Sequence, residues 1–502
     1  MAQSLPQVWI AVVTTIGTNM KVFNKSTIGE GHIKDQKPCQ DYSLSYQAED
    51  SSLSVIIVSD GHGGKSYFRS HIGSEKVCHV TLDAVKAFVE CADASSFAIS
   101  GKEYVQIHPL TAKEHPGKFD FQEEQLRQLS KTIIRNWTQE VAKDAEENPV
   151  SEWEKEHAEE YLALLKDPHK LYKAYGCTLM AFVVTPTYWF AIHLGDGKCF
   201  AFYDQATGKV WDEPLPWDER CFLNKTTSLC QNDAYEGFRF AYGGLQTLPL
   251  AVFMGSDGLD DTFADNDLLC DFYIKILKEI LFTSQAEVVD ELEKSLPVLS
   301  RRGSLDDMSV ACLYDEQKLL DNISYILEHQ ISLVSSRIDS SARRVKELVT
   351  RKQDLENYLE VKDKFAIFNK RKKELEAKLG ISSNTNIDIE MGFADKDIVR
   401  EEEHIAQLTR KQESLVGERA KIDAISIEPV AESVPEPVVE AVAEPEVASI
   451  ATQEVLLHPE GEHIEEMPVT KATPEIGTEH VKGLTHKEPH YINELPAAQE
   501  EK

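Results

Sequence analysis

The sequence lacks the features that mark membrane, secreted and disulfide-stapled proteins. No apolar run approaches the roughly 18 residues that a membrane-spanning helix needs. The opening residues, MAQSLPQVWIAVVTTIG, have neither a basic start nor a long apolar core, so they do not resemble a signal peptide. The 9 cysteines are odd in number and form no CxxC pair, which is typical of reduced thiols and a cytoplasmic location.

Positive charge is also scarce. The 502 residues include 53 Lys and Arg against 85 Asp and Glu, for a formal net charge of −32. Nucleic-acid phosphates and anionic lipid surfaces repel so acidic a chain, so we expect neither nucleic acid nor membrane as a partner. With 42% hydrophobic residues the chain can bury a sizeable core, and its length suggests roughly two to four structural units.

Composition divides the chain into three parts, of which residues 1–315 form the first. This part holds every cysteine and most of the aromatic residues. Short apolar runs rich in β-branched and aromatic residues indicate buried strands, and helical patterns separate them. The runs are 53–59, 178–184, 188–194 and 249–256. We expect a mixed α and β domain here.

Residues 316–425 change character. Gly and Pro become rare, charges of both signs mix, and apolar residues such as Leu319, Ile323 and Ile326 recur at three- and four-residue steps. This spacing predicts helical hairpins or a coiled coil, through which two copies could associate. The other interpretation is a helical subdomain that packs on the first domain. Turn-forming residues in 380–397 are expected to break the helical pattern.

Residues 426–502 contain 17 acidic and 4 basic side chains and are rich in Glu, Pro, Val and Ala. Such a composition buries too little apolar surface to order itself, so we expect a disordered acidic tail.

The strongest local motif is VSDGHGG, at 58–64. A buried strand runs into Asp60, Gly61 and His62, and strand ends are where mixed α and β folds bind ligands. A tight turn capped by Asp60 is the alternative for this motif alone. The following GGKS does not indicate a nucleotide-binding P-loop, because Ser59 stands where that motif needs its first glycine.

Four more motifs place an aspartate at an expected strand end. They are KPCQDYSLSY (Asp41), LGDGKCF (Asp196), AVFMGSDGLDD (Asp257) and GSLDDMSV (Asp306). Each aspartate alone is more often a turn residue than a ligand. Together they suggest an all-oxygen site for hard cations such as Mg²⁺ or Mn²⁺, and two such ions suit phosphoryl chemistry.

Six motifs in one order resemble a known family. CQDY (39–42), SDGHGG (59–64), GCTLMAF (176–182), LGDGKCF (194–200), GSDGLDD (255–261) and GSLDDMSV (303–310) are similar to those of the PPM family, the metal-dependent protein serine/threonine phosphatases of type 2C. The likeness spans roughly residues 10–315. It implies a four-layer αββα sandwich, with a binuclear Mg²⁺ or Mn²⁺ site between two central sheets.

The resemblance also implies a role for each motif residue. Asp60 would bridge both metals, the Gly61 carbonyl would bind one of them, and Asp257 and Asp306 would complete the shell of the other. Asp41 would hold metal-bound water, and Asp196 would support a third, weaker metal.

Catalysis would then be hydrolysis of phosphoserine and phosphothreonine by a metal-activated water. His62 would be the general acid for the leaving oxygen. The partners would be phosphoprotein substrates of a cognate serine/threonine kinase pathway.

Two departures from the family pattern concern the loop before Asp41. Gln40 replaces a common Glu, and Gln36 stands where many members carry a phosphate-binding arginine. His32, Lys34 and Lys37 lie nearby, as in a bacterial-type branch of the family with a His upstream of CQD. We expect these three to bind phosphate in its place, although Lys cannot make the bidentate contact of Arg. A solvated loop is the alternative.

The competing functional hypothesis is a pseudophosphatase, which would bind phosphoproteins or serve as a scaffold through the helical region. All four expected metal-shell aspartates, at positions 41, 60, 257 and 306, are present, which favours an active enzyme. Residues 92–120 and 151–171 look like insertions relative to the family.

Overall fold

The computed structural model describes residues 20–92, 94–110, 119–222, 225–362, 369–382 and 385–427. Those up to Ile425 belong to one compact unit. Nearly all of the tail expected to be disordered, 426–502, lies outside the described residues, as does part of the insertion at 92–120.

Within these residues the strands are β1 (Met20–Thr27), β2 (Tyr42–Gln47), β3 (Ser54–Ser59), β4 (Val105–Ile107), β5 (Leu179–Val184), β6 (Tyr188–Leu194), β7 (Lys198–Phe202), β8 (Trp211–Asp212), β9 (Arg239–Gly244), β10 (Ala251–Gly255) and β11 (Met308–Asp315). The four apolar runs of the sequence correspond to β3, β5, β6 and β10.

The helices are α1 (Glu30–Lys34), α2 (Ser70–Cys91), α3 (Ala94–Phe97), α4 (Phe121–Glu147), α5 (Glu152–His157), α6 (Leu171–Ala174), α7 (Ala234–Gly237), α8 (Asp257–Asp260), α9 (Asn266–Phe282), α10 (Gln285–Arg302), α11 (Glu316–Lys362), α12 (Asn369–Leu379) and α13 (Ile387–Ile427). Short 3₁₀ turns occupy Lys65–Tyr67, Glu159–Lys166, Gln205–Thr207 and Leu245–Thr247.

The strands form two antiparallel sheets. One has the order β1-β11-β10-β7-β8 and the other the order β2-β3-β5-β6-β9-β4. In an antiparallel pair, the end of one strand and the start of its neighbour lie at the same edge of the sheet. The two sheets therefore collect residues from distant parts of the chain at a shared edge.

The central strands are apolar on both sides because both sides are buried. In β3, Ile56 and Val58 face the other sheet, where they join Val252 and Leu313 in one cluster. Their neighbours along the strand, such as Ile57, point the opposite way and pack with residues of α2 and α4. The outer face of the first sheet packs on α9, α10 and α11. The predicted four-layer αββα sandwich is thereby confirmed.

The helical region after β11 shares the core of the sandwich. Helix α11 begins directly after the last strand, and Leu319, Ile323 and Ile326 are fully buried in the cluster that covers the first sheet. Helix α13 adds Leu408 and Leu415 to that cluster. The interpretation in which the helical region packs on the first domain therefore holds for these parts of α11 and α13. Self-association through the helices stays a prediction.

A buried carboxylate also ties the helical region to the sandwich. Asp271 of α9 is 2% exposed. Its two oxygens accept from Gln330 Nε2 of α11 at 3.0 Å and from Lys411 Nζ of α13 at 2.7 Å. One side chain of α9 therefore contacts both long helices.

The break expected over 380–397 is shorter than its composition indicates. Gly380 adopts a left-handed φ of +68° just after α12, and α13 begins at Ile387. Ile387 is 2% exposed and packs in a small cluster with Leu355 and Tyr358 of α11. Tertiary packing overrides the local turn preference from that residue onward.

Two further expectations concern the cysteines and the membrane. All 9 cysteines lie within the described residues and are free thiols. In the part of the chain that the structure describes, no helix is both long and apolar enough for a membrane crossing.

We predict that Ile323→Ala lowers the free energy of unfolding by about 2–5 kcal/mol, because it leaves a cavity in the shared core. The matched control is Leu320→Ala, three residues away in the same helix but 43% exposed, which should cost about 0.5 kcal/mol or less. Denaturant titration of the full chain measures both. Equal costs for the two variants would mean that α11 is not part of the core of the sandwich.

Candidate metal centre

Strand pairing brings the predicted aspartates to one edge of the sandwich. Tyr42 pairs with Ser59, so Asp41 and Asp60 flank adjacent strand ends. Asp257 follows β10, and Asp306 precedes the neighbouring β11, whose antiparallel start lies at the same edge. Asp196 occupies the turn between β6 and β7. Side chains that are up to about 265 positions apart thus share one region of the fold.

Three of these carboxylates converge closely. One oxygen from each of Asp60, Asp196 and Asp257 lies within 4.8 Å of the others. They line a cavity of about 1390 Å³ together with Gly61, His62 and Asp306. Asp41 is buried and is not among the described residues that line the cavity.

The backbone of Asp60 is fixed from both sides by Thr178. The Asp60 amide donates to Thr178 Oγ1 at 2.9 Å, and the Thr178 amide donates to the Asp60 carbonyl at 2.8 Å. Ser59 Oγ also donates to the Thr178 carbonyl, at 2.6 Å. The threonine of the GCTLMAF motif therefore holds the end of β3 in register.

Gly61 must be a glycine because the backbone packs too closely for a side chain. A Cβ atom there would lie 2.5 Å from the carbonyl oxygen of Gln40 and 2.9 Å from that of Ser70. The side chain of Gln40 donates from Nε2 to the His62 carbonyl at 3.1 Å and to Ser70 Oγ at 2.5 Å. Gln40 thus helps to shape the loop that carries Asp60, Gly61 and His62.

Burial and mutual repulsion disfavour the charged form of these carboxylates. Burial, with Asp257 as the strongest neighbouring charge, raises the pKa of Asp60 well above its usual range. Burial and then Asp196 do the same for the pKa of Asp257. Burial, reinforced by Asp307, raises the pKa of Asp41 to about 7. Without added positive charge, these side chains favour protonation.

Two buried oxygens in this group lack any partner among the described residues. They are Oδ2 of Asp41 and Oδ1 of Asp196. The nearby cation Lys198 does not pair with these oxygens. Its Nζ forms an ion pair with Asp260 at 3.0 Å and donates to Asn266 Oδ1 at 2.5 Å. An all-carboxylate donor set with unsatisfied oxygens fits hard divalent cations such as Mg²⁺ and Mn²⁺.

Asp307 holds the loop before Asp41 in place, a role that the sequence analysis did not assign to it. This residue is 2% exposed and accepts from the amides of Gly29, at 2.6 Å, and Gln40, at 2.5 Å. It therefore holds both ends of the loop before Asp41. Gly29 allows the close approach, because a Cβ there would lie 2.3 Å from the Asp306 carbonyl carbon. The only sequence signal was the doubled aspartate in GSLDDMSV.

None of the three expected phosphate-binding residues is among the described residues that line the cavity. His32 is buried, with Nδ1 2.8 Å from Asp307 and Nε2 3.7 Å from Asp306. Burial lowers and Asp307 raises the pKa of His32, with a net increase. Lys34 lies 3.5 Å from Glu30, and Lys37 lies 3.3 Å from Asp35.

His62 lies in the cavity wall, with its ring edge-on to Tyr67 at 4.8 Å between centroids. Burial lowers the pKa of His62 to about 4, so the ring is neutral near pH 7 in the free chain. A general-acid role needs a protonated ring, and the negative charge of a bound phosphoryl group favours that form.

A buried arginine that the sequence did not single out supports the turn of Asp196. Arg239 is fully buried, and its Nη2 donates to the Gly195 carbonyl at 2.7 Å. Gly195 adopts φ +131°, and a Cβ there would lie 2.5 Å from Cβ of Thr178. Arg239 and Thr178 thereby position two of the converging aspartates.

A search of curated protein sequences finds no match. Solved structures with a similar fold include the serine/threonine phosphatase Stp1 from Staphylococcus aureus, at 14% identity over 60% of this chain and 96% of that chain, with a TM-score of 0.34. The S. agalactiae serine/threonine phosphatase matches at 16% identity over 59% and 99%, with a TM-score of 0.33.

A third structure is the catalytic domain of the phosphatase PstP in complex with two manganese ions, at 14% identity over 59% of this chain and 99% of that chain, with a TM-score of 0.32. The assignment itself rests on the family model for protein phosphatase 2C, which matches residues 28–297, more than half of the chain. As its six motifs predicted, the chain belongs to the protein phosphatase 2C family and is a protein serine/threonine phosphatase of the PPM type.

Proposed function

We propose that this phosphatase hydrolyses phosphoserine and phosphothreonine in proteins with the help of Mg²⁺ or Mn²⁺ at the converging aspartates. The observation that carries the proposal is the cluster of Asp60, Asp196 and Asp257, whose oxygens lie within 4.8 Å of one another. Such a cluster is stable as carboxylates only with compensating cations.

The residues that would hold the ions follow from their positions. Asp60 lies at the centre of the group and is our candidate for the bridging ligand, with the Gly61 carbonyl beside it. Asp257 and Asp306 would serve the same pair of ions. Asp196 would hold a third ion, and Asp41 would hold metal-bound water. Bound divalent ions supply a lowered pKa for water and neutralise phosphoryl oxygens.

The chain's own contribution is to orient the substrate and to handle the proton. Water attacks the phosphorus atom, and the bond between phosphorus and the Ser or Thr oxygen breaks. His62, in the cavity wall, donates the proton that the leaving oxygen needs. The fixed loop from Asp60 to His62 keeps donor and carboxylates in one arrangement, which favours reaction by orientation.

The physiological substrate is proposed only by class, as a phosphoprotein of a serine/threonine kinase pathway. A cytoplasmic location and self-association through the helical region stay predictions. The decisive experiment is hydrolysis of a phosphothreonine peptide with Mn²⁺, with Mg²⁺ and with a chelator. Turnover with either metal and none with the chelator supports the proposal. No turnover under any metal would favour the pseudophosphatase hypothesis.

We predict that Asp60→Asn reduces metal-dependent turnover to below about a tenth of the wild-type rate. An amide cannot supply the charge that two cations share. The matched control is Asp233→Asn, which removes a carboxylate from the same cavity wall but not from the cluster, and it should keep most of the activity. Mn²⁺ titration by calorimetry gives an independent readout, and unchanged binding in Asp60→Asn would contradict the assignment.

We predict that the metal-free protein becomes less stable as the pH rises from 5 to 8. Folding raises the pKa of Asp60, Asp257 and Asp41 above the unfolded value near 3.9, so the folded state binds more protons. The stability from this protonation is complete below that value and is lost as pH passes the folded pKa, about 7 for Asp41.

Thermal unfolding in a chelator measures this loss, and Mn²⁺ should raise the Tm more at pH 8 than at pH 5. The Asp60→Asn variant should show a smaller fall in Tm than the wild type. A metal-free Tm that is flat or rises from pH 5 to pH 8 would show that the carboxylates are not forced together.

A further inference from the structure

We propose that Lys173 binds the phosphoryl group of the substrate from the wall of the cavity. The inference rests on the proposed function, and it names the source of positive charge that this site uses in place of the family's arginine. Lys173 belongs to α6, which begins at the last residue of the segment 151–171 that looks like an insertion in the sequence.

The backbone around Lys173 is bonded directly to the catalytic loop. The His62 amide donates to the Gly176 carbonyl at 3.1 Å, and the Gly176 amide donates to the Lys173 carbonyl at 3.2 Å. The carbonyl of the next residue, Ala174, accepts from the Arg69 amide at 2.8 Å. Lys173 therefore stands at a fixed place beside the loop of His62.

A buried ionic network anchors the same segment. Arg69, 2% exposed, donates from Nη2 to Glu154 at 3.2 Å and from Nη1 to Asp144 at 3.3 Å. Its Nη1 also donates to the hydroxyl of Tyr175 at 2.9 Å. The network joins α4 and α5 to the residue two positions after Lys173. These contacts fix the backbone from which the exposed side chain of Lys173 extends.

The charge of Lys173 is not neutralised by the protein. Its Nζ lies 5.7 Å from the ring centroid of Tyr67, the residue that packs on His62. No Asp or Glu of the described residues lies within 4.0 Å of it, since the ion pairs found there do not include Lys173. By contrast, Lys170 pairs with Asp167 at 3.2 Å, and Arg220 pairs with Asp218 at 2.9 Å.

The site needs a positive charge to bind a phosphoryl group. The loop of His32, Lys34 and Lys37, which was expected to supply it, does not line the cavity. The floor of the cavity is acidic, whereas a phosphoryl group is a dianion. Lys34 and Lys37 pair with acids of their own loop, and Arg301 pairs with Glu30 at 3.1 Å. Lys173 and Lys225 are the cavity-lining cations of the described residues for which no ion pair is found. Of these two, Lys173 is the one placed beside His62.

The test measures binding separately from turnover. The probe is a peptide that carries a non-hydrolysable phosphonate analogue of phosphothreonine, titrated by calorimetry into the full chain with Mn²⁺ present. Lys173→Met, which keeps the aliphatic stem and removes the charge, should weaken binding by about tenfold, as expected for one lost charge-assisted contact. Lys173→Arg should retain most of the affinity.

Lys170→Met is the matched control, because Lys170 is on the same wall but already paired, and it should change the affinity by less than about twofold. The unphosphorylated peptide should bind all variants equally weakly. On a hydrolysable phosphopeptide, Lys173→Met should raise KM more than it lowers kcat.

Unchanged affinity in Lys173→Met would overturn the inference. So would a loss found in Lys34→Met or Lys225→Met but not in Lys173→Met, which would place the phosphate contact on the loop before Asp41 or at Lys225. A wild-type chain that binds the analogue through Lys173 but hydrolyses no phosphopeptide would refute the proposed function and leave this inference standing. Equal binding of phosphorylated and unphosphorylated peptides would refute the inference.

Discussion

Mutual repulsion among enclosed carboxylates is the constraint on which the rest of the site depends. Asp60, Asp196 and Asp257 place oxygens within 4.8 Å of one another at the edge between two sheets. Burial makes their charge costly, Asp257 and Asp196 raise the pKa of Asp60, and Asp196 raises the pKa of Asp257. Protons or divalent cations relieve that cost, and only cations leave the carboxylates charged at neutral pH. The fold therefore holds a binding site that is completed by what it binds.

Holding such a group together requires support from the surrounding backbone. Thr178 fixes the end of β3, Arg239 fixes the turn of Asp196, and Asp307 joins the loop before Asp41 to the start of β11. None of these three contributes to the cluster itself. Each makes short hydrogen bonds to backbone groups and so determines where a carboxylate is carried. Two of them also act on its charge, because Asp307 adds to the rise in the pKa of Asp41 and Arg239 opposes the rise in the pKa of Asp196.

The helices after β11 pack on an apolar outer face of the sandwich and share its core. The outer face of the first sheet packs on α9 and α10, and α11 and α13 extend the same cluster. The carboxylate of Asp271 gives both long helices a common polar contact. The other outer face carries α2 and α4, and the buried Arg69 holds the segment of Lys173 against that layer. One outer face of the sandwich thus supports the helices α11 and α13, and the other supports the segment of Lys173.

The sequence by itself determined the features that depend on neighbouring residues. Apolar runs predicted strands β3, β5, β6 and β10, three- and four-residue spacing predicted the long helices, and six ordered motifs predicted the family. Only the tertiary structure decided which side chains face the cavity. Lys34 lies seven residues from Asp41 yet points to Glu30, whereas Lys173 lies over a hundred residues from Asp60 and lines the same wall. The reason is physical: local spacing fixes the period of an element, but packing and long-range hydrogen bonds fix its direction.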